Sequence, residues 1–454
     1  ELGVKWARVQ TGWARTEKTS GVYDFEWLDR IVDGLIERHV QPWLSISYGN
    51  PLYTKTINTA PVGAPAEPLV CDATGVGFPP IHSETEREAW GNFVRALARH
   101  FRDRVTHFEV WNEPDLSMFW KCQPCAADYV QLVRQTVAPL REEHPQARVI
   151  AGAFAWGMTP WSLKFLEDCF RLGLHEWIDI VSYHGYKSIP ERSIEQEFDA
   201  FRHLLKKYKP SLVYWQGEVG MQSFVPEKAR GVGALSNVAC SEPIQARMLL
   251  RRTLIELHKG AALVSYFHMA DFAHYTAFKQ TFHYGLVRLK DGSRKPSYYA
   301  QQTLCSLIDA AVSPAEGRTS WLMKAADESD NTHAFKLGVR CAGFVRGNVP
   351  LHAWWLANPV QDEPEIIRAS MTCWIEEGLR LDDPVLIEPV SQAVYGVSFE
   401  HDRRPCGAPR QAPDPRSEGV LVFDPIPISS SPVIMTDRSL VDLDDCHERN
   451  SNQT

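Results

Sequence analysis

Through the first 300 residues, short apolar runs of strand character alternate with segments whose apolar residues recur at helical spacing. That alternation limits the fold more tightly than any other feature of the chain. Parallel strands cannot be joined by tight turns, and a helix laid across the sheet is the usual crossover. Val4 to Gln10, Pro42 to Tyr48, residues 106–111, Val149 to Phe154, Ile178 to Tyr183, Leu212 to Gln216 and Leu263 to Phe267 read as seven strands. A helix opening at Asp24 carries Leu28, Ile31, Val32, Leu35 and Ile36 on one face. Ser83 and Glu86 form a capping box ahead of Trp90, Phe93, Val94, Leu97 and Phe101, and a further helix spans about 126–143. The expectation is a (β/α)8 TIM barrel over residues 1–310. If residues 106–111 supply its fourth strand, Val4 to Gln10 is the second and the first belongs upstream of Glu1.

After Pro296 and the helix that follows it, the pattern changes. Short alternating runs at Ala334 to Val339, Val349 to Leu356, Glu365 to Ile375 and Val420 to Phe423 are broken by Pro, Gly and Asp. They predict a C-terminal antiparallel β-sandwich over residues 311–441. Residues 402–418, rich in Pro and Arg, read as a long exposed loop, and the polar stretch 442–454 as a disordered tail.

Composition excludes several function classes. No apolar run reaches the roughly 18 residues that span a bilayer, so no membrane partner is expected. A net charge of -8 argues against a nucleic-acid partner. Ten scattered cysteines are too few for a disulfide scaffold. Cys122-Gln-Pro-Cys125 has the spacing of half a zinc site, but no second close pair follows, so neither metal nor cofactor is expected. Cys71 and Cys122 or Cys125 fall in loops after adjacent strands, where a cleft-side disulfide is open to a secreted protein. The sequence leaves compartment and oligomeric state undetermined.

In such a barrel the strand ends become neighbours at the C-terminal face. Phe108-Glu109-Val110-Trp111-Asn112-Glu113-Pro114 and Leu212-Val213-Tyr214-Trp215-Gln216-Gly217-Glu218 are strands that both terminate in glutamate. Two carboxylates on two strand ends are what glycosidic bond cleavage uses, one protonated beside the leaving oxygen and one ionised beneath the anomeric carbon. Asn112 is placed to donate to a sugar hydroxyl or to the second carboxylate. His184 and Tyr186 end the sixth strand, where the phenol can hydrogen-bond Glu218. Arg8 either sets positive charge under Glu218 or pairs with an interior acid. Glu109, four residues before Glu113 on the same strand face, is read as the structural partner of an arginine. Trp13, Tyr53, Trp120 and Trp161 follow strand ends and are candidates for lining a sugar cleft.

Trp111-Asn112-Glu113-Pro114, His184-Gly185-Tyr186 and Gly217-Glu218 together resemble clan A glycoside hydrolases, most nearly glycoside hydrolase family 39. Tyr48-Gly49-Asn50-Pro51, Gly285-Leu286 and Lys295-Pro296 add to the likeness. The resemblance implies a retaining mechanism with Glu113 as acid/base and Glu218 as nucleophile, acting on a glycoside, oligosaccharide or polysaccharide. It also leads one to expect a histidine at position 10, where Gln10 stands, and a tryptophan on the last barrel strand. That strand offers Phe267 instead as a ring platform. β-Xylosidase, α-iduronidase and other pyranosidase activities stay open. Two readings compete: a carbohydrate-binding pseudo-enzyme on the same barrel, and a metal-dependent barrel hydrolase, for which only His184 and His268 stand at strand ends.

Overall fold

The computed structural model describes residues 1–57, 69–121, 123–224, 235, 238–273, 281–315, 317–325, 338–357, 366–397, 400–401 and 420–441. Its main sheet contains seven parallel strands: β1 (Trp6–Gln10), β2 (Gln41–Ile46), β3 (His107–Val110), β4 (Arg148–Phe154), β5 (Ile180–Tyr183), β6 (Val213–Val219) and β7 (Leu263–Tyr266). Each pairs with the next in sequence, and the sheet curls until β1 and β7 approach one another, a nearly closed barrel whose end strands share no ladder among the described residues. Helices cover its outside: α1 (Glu26–Ile36), α2 (Glu84–Phe101), α3 (Ala126–Glu143), α4 (Pro160–Arg171), α5 (Ile194–Tyr208), α6 (Glu242–His258) and α7 (Pro296–Leu307). Among the described residues no helix is long and apolar enough to cross a membrane.

Local signals account for these elements. The Ser83 side chain accepts a hydrogen bond from the Glu86 amide at 3.2 Å, while the Glu86 carboxylate accepts from the His82 amide at 2.9 Å. Two orphan donors at the start of α2 are satisfied. Its buried face is Trp90, Phe93, Val94, Leu97 and Phe101, which the helical spacing selects.

The barrel interior is layered. Trp6, Trp43, Ile150, Ile180, Trp215 and Leu263 cluster near the start of their strands and plug the floor. Two residues further along, the alternation of side chains brings Arg8, Ser45, Glu109 and Ser182 inward as a polar layer. The strand ends lie above it.

Beyond the barrel two antiparallel sheets form the expected sandwich. One runs in the order β8 (Val312–Pro314), β10 (Val339–Arg346), β11 (Val349–Leu356), β17 (Val433–Asp437), β13 (Pro384–Glu388), β14 (Ala393–Gly396). The other runs β9 (Thr319–Ala325), β12 (Ile367–Ile375), β16 (Val420–Ile428), β15 (Glu400–His401). The run expected at Ala334 to Val339 falls mostly outside the described residues, and the strand there is β10. The predicted loop at 402–418 and the tail at 442–454 also lie outside them. Phe344, Leu351 and Trp355 of the sandwich join the barrel's own hydrophobic core, so the sandwich is seated on the barrel through apolar contact.

Candidate active site

Glu113 and Glu218 meet at the C-terminal face. One carboxylate oxygen of each, with a ring nitrogen of His184, lie within 4.8 Å of one another. The backbone is arranged for this. Trp111 and Glu113 both take positive φ, 69° and 48°, a conformation that non-glycine residues hold only where the surroundings enforce it. The Glu113 amide donates to the Ala153 carbonyl at 3.1 Å, tying the turn to the end of β4. Gly217, beside Glu218, has no room for a Cβ, which would collide with the Ser182 hydroxyl.

The two carboxylates have different surroundings. Glu218 Oε2 accepts from Arg8 Nη1 at 2.8 Å, and its Oε1 accepts from the Tyr186 hydroxyl at 2.8 Å. A cation and a phenol therefore solvate its negative charge in place of water. Burial pushes the Tyr186 phenol well above its ordinary range, which keeps it a donor. Glu113 has no such cradle. Burial pushes its carboxyl up to about 8, and nearby Asp115 adds to the rise while Arg8 opposes it. Its Oε1 lies 2.9 Å from His184 Nδ1. Burial lowers the His184 proton affinity, leaving a neutral ring with one donor and one acceptor. His184 is thus placed against Glu113, while Tyr186, two residues on, reaches Glu218.

Arg8 serves both roles between which its position in the sequence left a choice. Its Nε donates to Glu109 at 2.6 Å, its Nη1 to Glu218, and its Nη2 to Asn112 Oδ1 at 2.9 Å and Ser45 Oγ at 3.3 Å. Glu109 is fully buried and partners the arginine. Asn112 spends its carbonyl on Arg8, which aims its amide nitrogen elsewhere.

Other candidates fall differently. Trp13 and Trp120 do not line an open cleft. Both are fully buried. Trp13 is packed with Tyr53, Trp90 and Phe93, and its indole N–H donates to Glu17 at 2.6 Å. Trp120 packs on Trp111 and Tyr129. Their loops fold back over α2 and α3, where burial of the indole outweighs exposure to the cleft. Phe267 is half-buried at the end of β7, edge-on to Tyr284 at 5.3 Å between ring centres. Cys71 and Cys125 are free thiols, and Cys122 lies outside the described residues.

Sequence reasoning missed Asp115. It is buried, and its two oxygens accept from the Ala155 amide at 2.8 Å and the Ser162 hydroxyl at 2.6 Å. Its only signal was an acid two residues beyond Glu113, which reads equally well as a solvated loop residue.

The group Glu113, His184 and Glu218 has the spacing of a cation site. Its donor set does not favour one. Both oxygens of Glu218 already accept from Arg8 and Tyr186, and the guanidinium would repel a dication.

A parallel barrel with paired glutamates at its strand ends is an architecture used by glycoside hydrolases. Residues 8–316 match the model of glycosyl hydrolases family 39, and the chain belongs to that family. It is 27% identical over 173 residues to a β-xylosidase of Geobacillus stearothermophilus, a match covering 37% of this chain and 31% of that protein. A β-xylosidase of Caldicellulosiruptor saccharolyticus is 26% identical over 202 residues, covering 41% of this chain and 37% of the relative. The matched region thus spans about a third of the length of these relatives. In fold, the chain is similar to a family 39 glycoside hydrolase from Bacteroides cellulosilyticus WH2, with a TM-score of 0.61 at 17% identity over 96% of this chain and 76% of that one.

Proposed function

We propose that this chain hydrolyses the O-glycosidic bond of a pyranoside with retention of configuration, Glu113 acting as acid/base and Glu218 as nucleophile. The observation that carries the reading is how near the two carboxylates come, one oxygen of Glu113 lying within 4.8 Å of one oxygen of Glu218. Retaining enzymes hold their carboxyl groups about 5–5.5 Å apart, whereas inverting enzymes leave roughly 6.5–9.5 Å for a water.

The surroundings assign the roles. Glu113, with its proton affinity raised to about 8, holds a proton at neutral pH and gives it to the leaving oxygen as the C1–O bond breaks. Glu218, steered by Arg8 and Tyr186, bonds to C1 as the aglycone departs. Glu113, now ionised, takes a proton from water. That water attacks C1, the bond to Glu218 breaks, and the sugar leaves with its original configuration. Asn112 has an amide nitrogen free of the Arg8 contact and is read as a donor to a sugar hydroxyl. Phe267 is read as a partial floor for the ring. The two relatives are named β-xylosidases, so an aryl β-xyloside is the first substrate to try.

Azide rescue tests the assignment. Glu113→Ala should regain turnover of an activated aryl glycoside with azide and give a product of retained configuration. Glu218→Ala should give the inverted glycosyl azide. Exchange of these outcomes would reverse the roles. An intact chain that binds xylosides without cleaving any glycoside in an aryl panel would instead favour a binding protein.

A further inference from the structure

Most tryptophans of this chain are packed away, seven of them almost fully buried. Others are half-buried, and Trp156 and Trp161 are the exposed ones among the described residues, at 51% and 60%. With Thr159 they line one shallow, open cleft, and neither belongs to a hydrophobic core cluster. Two indoles left in water, one on the loop between β4 and α4 and one in the first turn of α4, call for an occupant.

Their placement says where that occupant would lie. The loop leaves β4 at its C-terminal end, the face that carries Glu113 and Glu218. Asp115, two residues beyond Glu113, holds the start of the loop through the Ala155 amide and the first turn of α4 through the Ser162 hydroxyl, 2.8 and 2.6 Å away. Between these anchors Gly157, at φ 64°, is pressed against Gly185 so closely that an added Cβ would come within 2.9 Å of the Gly185 Cα. Gly185 joins His184, which touches Glu113, to Tyr186, which touches Glu218. The loop of Trp156 and the start of α4 with Trp161 are therefore fixed to the flank of Glu113 rather than free to swing.

We propose that Trp156 and Trp161 form an aglycone-side platform that stacks the pyranose rings of an oligosaccharide beyond the bond to be cleaved. This rests on reading Glu113 as the acid, since the acid stands beside the leaving group. Among the described residues no charged side chain lines the cleft, which suits a neutral saccharide whose C–H face lies on indole. The enzyme would then favour substrates whose leaving group is itself a sugar chain.

Two measurements separate this proposal from the catalytic reading. The first is the ratio of kcat/KM on xylotetraose to that on 4-nitrophenyl β-xyloside. Trp156→Ala and Trp161→Ala should each lower this ratio by about tenfold, the effect of one lost aromatic contact, and Trp→Tyr at the same sites should restore much of it. A ratio that stays constant, because both substrates decline together or neither does, overturns the platform. The second is calorimetric titration of the Glu218→Gln variant with xylotetraose, cellotetraose and xylose. The tetraose it prefers should bind about tenfold more weakly once Trp156→Ala is added, while xylose affinity holds. Equal tetraose affinity with and without Trp156, or no binding of either tetraose, refutes the platform. Because this second measurement needs no turnover, failure of the catalytic assignment alone would leave it intact.

Discussion

Replacing Arg8 with methionine tests the electrostatic centre of the site. The substitution keeps much of the side chain's length and removes its charge, leaving Glu109 and Glu218 without the guanidinium that lies 2.6 and 2.8 Å from them. The Glu109 side chain is fully buried, and that of Arg8 is only 10% exposed, so water cannot take over. A unit charge pair with centres about 4 Å apart at an effective dielectric of ~20 is worth about 4 kcal/mol. Removing one partner of a buried pair costs about 3–5 kcal/mol. With an unfolding entropy of ~2.1 cal/mol/K per residue over a barrel of roughly 300 residues, this lowers Tm by about 5–8 °C. Differential scanning calorimetry of Arg8→Met at pH 7 reads the loss. The double variant Arg8→Met/Glu109→Gln should recover at least about 2 kcal/mol of it, because the stranded charge is gone. A Tm within about 1 °C of the parent, or no recovery in the double variant, would refute this view of Arg8.

Three further outcomes are expected. The kcat/KM profile should fall on its basic side near pH 8, because Glu113 as the proposed acid must be protonated and its carboxyl is pushed up to about 8. Asp115→Asn removes a negative charge that raises this affinity, so the basic limb should move down by roughly one pH unit; an unmoved limb would deny Asp115 that influence. Trp355→Phe deletes the indole N–H that donates to Glu191 at 2.6 Å, beside the Arg251 contacts at 2.7 and 2.6 Å. A hydrogen bond to a charged group is worth about 1.5–3 kcal/mol, so Tm should drop by about 2–5 °C. Since Glu191 lies five residues beyond Tyr186, kcat should drop with it.

The barrel was legible because its strands are buried apolar runs separated by amphipathic helices, and residues 126–143 fall on α3 end to end. The strand-end residues followed from the architecture, as did the pairing of Glu109 with an arginine, since alternation sends both into the barrel. What the sequence hid depends on loop direction. Trp13 and Trp120 follow strand ends, but nothing local says that their loops fold back into the aromatic stack over α2 and α3. Trp161 follows a strand end in the same way and stays exposed. Asp115 has no periodicity to mark it. In the sandwich, β8 and β13 were missed because they are short and include prolines, and β17 because it is only five residues long. Trp355 sits on a strand that was foreseen, yet its reach to Glu191 depends on how the two sheets dock on the barrel.

The central claim is a covalent bond between the sugar and Glu218. A 2-deoxy-2-fluoro xyloside with a good leaving group slows both steps, and the leaving group speeds the first, so the glycosyl-enzyme accumulates. Intact-mass measurement should show one added sugar per chain, and fragmentation of the labelled peptide should place it on Glu218. A label on Glu113, or an unlabelled enzyme that turns over aryl xylosides with inversion, would contradict the account.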